Sequence, residues 1–245
     1  MSTTVTIAKR EFRSNFDSPL AYVVICLALI MLGFFFFLFG GGFWQADRAS
    51  VQSLFIWLPR GLSSLIIPVV TMRLIAEERR SGTLEMLITL PVRDHEVVLG
   101  KYLGAWGLVL IIIASTLFYP LLMFWSVWHL GPLDSGPVFS GYLGLVLYSA
   151  AATAIGLLVS TLTESQVIAF FITWVILCIM QFIGLAVDNI DTPMVRNVIA
   201  FISFDTRLAP FARGMINTRD VIYFVSIAIG CLMASFRALE RRKWA

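Results

Sequence analysis

Residues 20–39 form an apolar run of 20 residues that contains no Lys, Arg, Asp or Glu. As a helix, such a run rises about 30 Å, the thickness of a bilayer's hydrocarbon core. Comparable runs recur along the chain, and the sequence predicts six membrane-crossing helices at 20–40, 55–78, 97–128, 139–162, 167–187 and 219–238. The expected fold is an all-α membrane protein built as a single domain over 1–245. Only 13% of the residues are charged, against about a quarter in soluble domains. That shortage excludes an ordinary soluble enzyme and leaves lipid as the solvent.

The polar 19 residues ahead of the first run suit a retained anchor better than a cleaved signal, since no small-x-small pattern follows before Gly40. Within them, 4–17 reads as an amphipathic helix, with Val5, Ala8, Phe12 and Phe16 on one face and Lys9, Arg10 and Arg13 elsewhere. It suits a helix lying in the membrane interface, or a lead-in whose cations set topology. The second run carries Pro59, Arg60, Pro68 and Arg73. Arg73 can snorkel to the inner surface, and Arg60, three residues from Trp57, suits the outer interface. The helix can also begin at Pro59, because proline is tolerated in a first turn. Tyr119-Pro120 predicts a break in the outer half of the third run. The fourth is rich in Gly, Ala and Ser, which let helix backbones approach closely in lipid. Thr192-Pro193 opens helical spacing in the last loop, so short amphipathic outer helices are expected over 192–216.

Of the 18 Lys and Arg, twelve fall on the side of the N-terminus, five on the other, and Arg60 is undecided. This bias places both termini in the cytosol. Cys26, Cys178 and Cys231 lie in separate apolar runs, and His95 and His129 in separate loops, so no metal site or disulfide framework is expected. The small net charge of +3 gives no reason to expect a nucleic-acid partner.

The longest charged interval between two apolar runs lies within 68–101. There Ser81 or Thr83 can cap a short helix over 82–90, with Glu85 in its first turn, Leu84, Leu87 and Ile88 on one face, and Pro91 as its stop. Its apolar face can settle into headgroups or into a groove on a soluble partner, with Glu77, Glu78, Arg79 and Arg80 setting the charge register. Residues 68–92 also read PxxTMRxxAEERRSGTLExLxTxPV, followed by VxxGK at 97–101. Together with STLTESQ at 160–166, FARGMINTRDVIYF at 211–224 and LERRKW at 239–244, this resembles the type-2 ABC exporter permeases (ABC-2, type V exporter-like), and most the gliding-motility permease subgroup.

The resemblance implies a half-transporter: two permease chains, identical or similar, above two cytosolic ATPase subunits in a bacterial inner membrane. It implies that the 82–90 helix is a coupling helix seated in the ATPase, with Glu77, Glu78, Arg79, Gly82, Thr83, Glu85, Leu87 and Pro91 as its coupling residues. The sequence carries no GxxxxGK[ST] phosphate loop, so the chain is expected to be non-catalytic and to bind no cofactor, with ATP and magnesium on a separate chain. Arg60, Thr173 and Gln181 are the polar candidates for a pathway or a helix interface, an interhelical hydrogen bond being the expected role of Gln181. So little intramembrane charge fits an amphipathic or lipid-linked cargo, or a mechanotransmitter that acts on a periplasmic or membrane accessory subunit. A membrane enzyme is disfavoured, because no HExxH, GxSxG or intramembrane Asp pair is present.

Overall fold

The computed structural model describes residues 3–17, 19–37, 52–80, 82, 94–124, 135–189 and 192–241. These residues are helical throughout apart from short turns, with no strand among them. In chain order they form α1 (Thr3–Asp17), α2 (Pro19–Phe37), α3 (Gln52–Gly61), a π turn (Leu62–Ile66), α4 (Ile67–Thr71) and α5 (Ala76–Arg80). Then follow α6 (Asp94–Ser115), α7 (Phe118–Phe124), α8 (Ser135–Leu162) and α9 (Gln166–Phe182) with a 3-10 extension (Ile183–Asn189). The last three are α10 (Pro193–Ile202), α11 (Phe204–Ala212) and α12 (Thr218–Arg241).

Five continuous stretches among the described residues are long and apolar enough to cross a membrane: Leu54–Arg80, His95–Leu121, Ser135–Leu162, Gln166–Val187 and Thr218–Glu240. The expected first span, 20–40, is helical over Pro19–Phe37, and its last residues lie outside the described ones.

The architecture is organised around α8. Its small residues do what the sequence pattern suggests: Ala151, Ala152 and Ala154 are fully buried, and α3, α4, α6, α9, α11 and α12 all pack on this one helix. Gly144 faces the Phe211 ring of α11, and Gly156 faces Thr71 of α4. Tyr148 is the large side chain among them. It is fully buried, stacks edge-on to Phe204 and Phe224, and donates its hydroxyl to the carbonyl of Pro59 at 3.0 Å. One side chain thereby ties α8 to α3, α11 and α12. Tyr148→Phe keeps the ring contacts but strands a buried carbonyl, so it is expected to cost about 1–2 kcal/mol. A lowered unfolding midpoint in detergent would report this, and an unchanged midpoint would contradict it.

Two features differ from the sequence reading, both for steric reasons. The second span does not start at Pro59: α3 is already helical from Gln52, with Pro59 inside it. The adjustment comes later, ahead of Pro68, which has no N–H for the preceding turn. There the helix widens to the π turn at Leu62–Ile66, and Ser63 and Ser64 bond back to the carbonyls of Arg60 and Gly61. The third span breaks at Thr116–Leu117, the turn that the Pro120 ring crowds, and the Thr116 hydroxyl satisfies the Ile113 carbonyl there.

The second difference concerns α1. Val5 is about half exposed, whereas Ile7, Ala8, Glu11, Phe12 and Phe16 turn inward. Much of their contact is with protein, because α1 packs along α6 over a stripe of Gly100, Gly104 and Gly107. A Cβ on Gly100 would stand 2.6 Å from the Ile7 side chain, and one on Gly104 would stand 2.7 Å from that of Glu11. The stripe sets the inward face of α1 by steric fit, and the hydrophobic spacing of α1 alone could not show this.

Candidate coupling site

The charged end of the second span is set off from the rest of the span by a break. The helix unwinds over 72–75 and restarts as the five-residue α5. An unwound turn in a helix bundle leaves backbone N–H groups without partners. Here Ser160 of α8 supplies them: its hydroxyl oxygen accepts from the N–H of Ile75 at 3.1 Å and of Ala76 at 3.2 Å. The break is therefore a bonded feature of the fold.

Beyond the break, Glu78 and Arg79 point inward to opposite neighbours. Glu78 meets Lys101 of α6 at 2.7 Å, and the same ammonium meets Glu11 of α1 at 2.5 Å. Lys101 is only 4% exposed in its side chain, so one buried cation joins α1, α5 and α6. Arg79 turns to the short linker between α8 and α9. It donates to the Thr163 carbonyl at 3.1 Å and pairs with Glu164 at 3.3 Å. Glu77 and Arg80 are exposed on the other face of α5. Arg79, Arg80, Glu164 and Ser165 line an open cleft of about 560 Å³ at this end.

Gly82 follows with φ +71°, a left-handed conformation that glycine adopts without penalty. Thr83, Glu85, Leu87 and Pro91, with the rest of the expected 82–90 helix, lie outside the described residues. Of the expected coupling residues, the fold brings Glu77, Glu78, Arg79 and Gly82 together at one end of α8. Lys101, Ser160, Glu164 and Glu11 complete the arrangement, and sequence reasoning gave none of them a structural role. Three of the four stand inside segments singled out for other reasons, VxxGK and STLTESQ. A lysine set in an otherwise apolar run was the available signal for Lys101.

The other polar candidates gather at the opposite end of α8. Arg60 pairs with Asp205 of α11 at 3.5 Å and lies over the Trp57 ring. Gln181 of α9 donates to the same carboxylate oxygen at 3.3 Å, making an interhelical bond. Thr173 is fully buried two turns away on α9 and does not join them. Sequence reasoning missed Asp205, whose role depends on α11 folding back between α3 and α9. It also missed a buried pair in which Arg207 reaches Asp220 of α12 at 2.9 Å. Arg207 also lies against the rings of Phe201 and Tyr223. Cys26, Cys178 and Cys231 are free thiols on three different helices, and no cluster of metal-ligating side chains occurs among the described residues.

Comparison with known proteins places this geometry in context. The model of the family described as ABC-2 family transporter protein matches residues 51–236. Two curated relatives, each named a probable multidrug ABC transporter permease YbhR, come from Escherichia coli strain K12 and from Escherichia coli O157:H7. Each is 26% identical over 109 residues, which is 44% of this chain. The matched part spans only 28% of the length of those relatives.

Proposed function

We propose, from the premise that this chain belongs to the ABC-2 transporter family, that it is a half-transporter permease moved by ATPase subunits through α5. Family membership makes it a multi-pass membrane component of an ABC transporter. The finer reading is that it pairs with a second copy of itself or a similar permease in a bacterial inner membrane, both termini cytosolic. Two separate ATPase chains carry the ATP and magnesium, this chain catalyses nothing, and the cargo is amphipathic or lipid-linked.

One observation carries the reading: the broken second span is anchored at both ends to different parts of the bundle. At the α5 end, Glu78 and Arg79 hold the lever to α1, α6 and the α8–α9 linker. At the other end, Arg60 holds the same span to Asp205 of α11. A displacement of the segment after Gly82 would therefore reach α1, α6, α9 and α11 through named contacts. The break at 72–75 and the π turn are the places where the span can flex. In this arrangement Glu78 and Arg79 act as joints inside the permease, and Glu77, Arg80, Leu87 and the loop up to Pro91 face the ATPase.

The test is gentle purification of the tagged chain from its native membrane, with all co-eluting proteins identified. A P-loop ATPase is expected near one-to-one, and Leu87→Asp is expected to remove it, since a charge replaces the apolar anchor of the docking helix. Failure to find an ATPase even after cross-linking would end the coupling reading. A second use of the same lever is force transmission to an accessory subunit in place of moving a cargo. The Arg60–Asp205 pair that ties the second span to α11 favours it, and co-elution of a non-ATPase subunit with the α10–α11 end would distinguish it from export.

A further inference from the structure

At the end of α8 far from α5, residues of α10, α11, the 213–217 linker and the start of α12 line an open cleft of about 970 Å³. Its polar lining includes Asn197, Thr206, Arg207, Asn217, Arg219 and Asp220. The charges in this lining do not cancel. Both oxygens of the Asp220 carboxylate are engaged, one by Arg207 at 2.9 Å and the other by Asn217 at 3.2 Å. Arg207 gives one of its five N–H groups to that bond, and its Nε has no hydrogen-bond partner although its side chain is only 9% exposed. Arg219 is exposed at the rim, and no charged group among the described residues balances it. The lining therefore carries one net positive charge, at the N-terminus of the long helix α12, where the helix dipole adds to it.

The wall beside the cleft is apolar and uncovered. No residue of α10 is buried, and Met194, Val195, Val198, Phe201 and Ile202 form one exposed stripe along it, with Met194 80% exposed. Residues 218 onward begin an apolar stretch long enough to cross a membrane, so the cleft stands at headgroup depth. A free phosphate would fill a small part of this cleft and make no use of the stripe beside it. A ligand with an anionic head and an acyl tail satisfies both surfaces at once.

We propose that this cleft binds the acidic headgroup of a membrane phospholipid, with its phosphate at Arg219 and Arg207 and an acyl chain along α10. The site lies at the opposite end of α8 from the lever, and the proposal stands independently of the ATPase reading.

The test uses the full chain in nanodiscs of phosphatidylcholine containing a minor fraction of phosphatidylglycerol, with the retained lipids identified by native mass spectrometry. Wild-type protein is expected to retain phosphatidylglycerol over phosphatidylcholine roughly tenfold beyond their ratio in the disc, the worth of one charge-assisted hydrogen bond. Arg219→Gln is expected to bring retention down to that ratio without moving the unfolding midpoint, because Arg219 is exposed. Equal retention of the two lipids by wild type would overturn the proposal, and so would an Arg219→Gln variant that retains phosphatidylglycerol as wild type does. A third arm titrates inorganic phosphate into delipidated protein and follows it by phosphorus NMR. Phosphate binding that depends on Arg219, without phosphatidylglycerol preference, would make this a free-anion site and overturn the lipid assignment. Retention of a co-purified protein on α10 in place of lipid would overturn it equally.

Discussion

Replacing Lys101 with methionine is expected to release α1 from the bundle and to uncouple α5 from α6. The side chain is 4% exposed and is the cation between two carboxylates, Glu11 at 2.5 Å and Glu78 at 2.7 Å. Methionine fills the same volume, so no cavity opens and the packing of α6 is kept. What changes is the charge. Two carboxylates, each about a quarter exposed, lose the cation that lies between them. Breaking a buried ion pair by removing one partner typically costs 3–5 kcal/mol, and the partial exposure of both acids places this case at about 3 kcal/mol. The cost falls on the weakest attachment. α1 is held to α6 by the glycine stripe and this pair, so the N-terminal segment should become protease-sensitive before the bundle unfolds. Limited proteolysis with intact-mass readout measures this directly. Glu11→Gln and Glu78→Gln added to Lys101→Met remove the repulsion and should restore protection. A Lys101→Met protein as resistant as wild type would show that the node holds nothing. A triple variant that stays sensitive would show that lost packing, not charge, is responsible.

The parts of this fold that were legible in the sequence are those set by one helix at a time. Apolar length marks α8, α9 and α12, and the small residues of α8 mark the helix that others crowd against. Gln181 in an apolar run announces a hydrogen bond, although not its partner. What was not legible needs two helices. The inward face of α1 is chosen by glycines 100, 104 and 107, more than ninety residues away. Val5 and Ile7 are equally apolar, and only the groove on α6 decides between them. Likewise Glu78 and Arg79 read as surface charges ready for a partner. They turn inward because Lys101 and the Thr163 carbonyl sit where the restarted helix α5 points them. Their neighbours Glu77 and Arg80, indistinguishable by residue type, take the exposed face. Helical phase decides which of four consecutive charges turn inward, and that phase is reset by the break at 72–75, whose partner is Ser160 on α8.

Gly156→Ala is expected to be the most damaging added methyl among the described glycines. Gly156 sits where α8 crosses α4, close to the root of the lever. A Cβ there would overlap the Thr71 Oγ1 and stand 2.7 Å from the Thr71 Cβ. Neither atom can step aside. Thr71 is fully buried, its χ1 is restricted by branching, and its hydroxyl is bonded to the Ile67 carbonyl at 2.8 Å. The two helices must separate, and Ser160, one turn further along α8, would be drawn from the N–H groups of Ile75 and Ala76. Overpacking in a rigid core costs about 1–3 kcal/mol, and the strained bonds at the break bring the expected loss to about 3 kcal/mol or more. The unfolding midpoint in detergent measures it. Thr71→Ala should rescue little, because its Cβ remains in the way. Thr71→Gly should rescue most of the loss beyond the roughly 1 kcal/mol that glycine costs inside a helix, because it restores the missing space from the other side. Recovery by Thr71→Gly and not by Thr71→Ala would establish backbone-level contact between α4 and α8. Equal rescue by both, or a Gly156→Ala protein as stable as wild type, would show that the two helices already have room to slide, and that the lever is not fixed at its root.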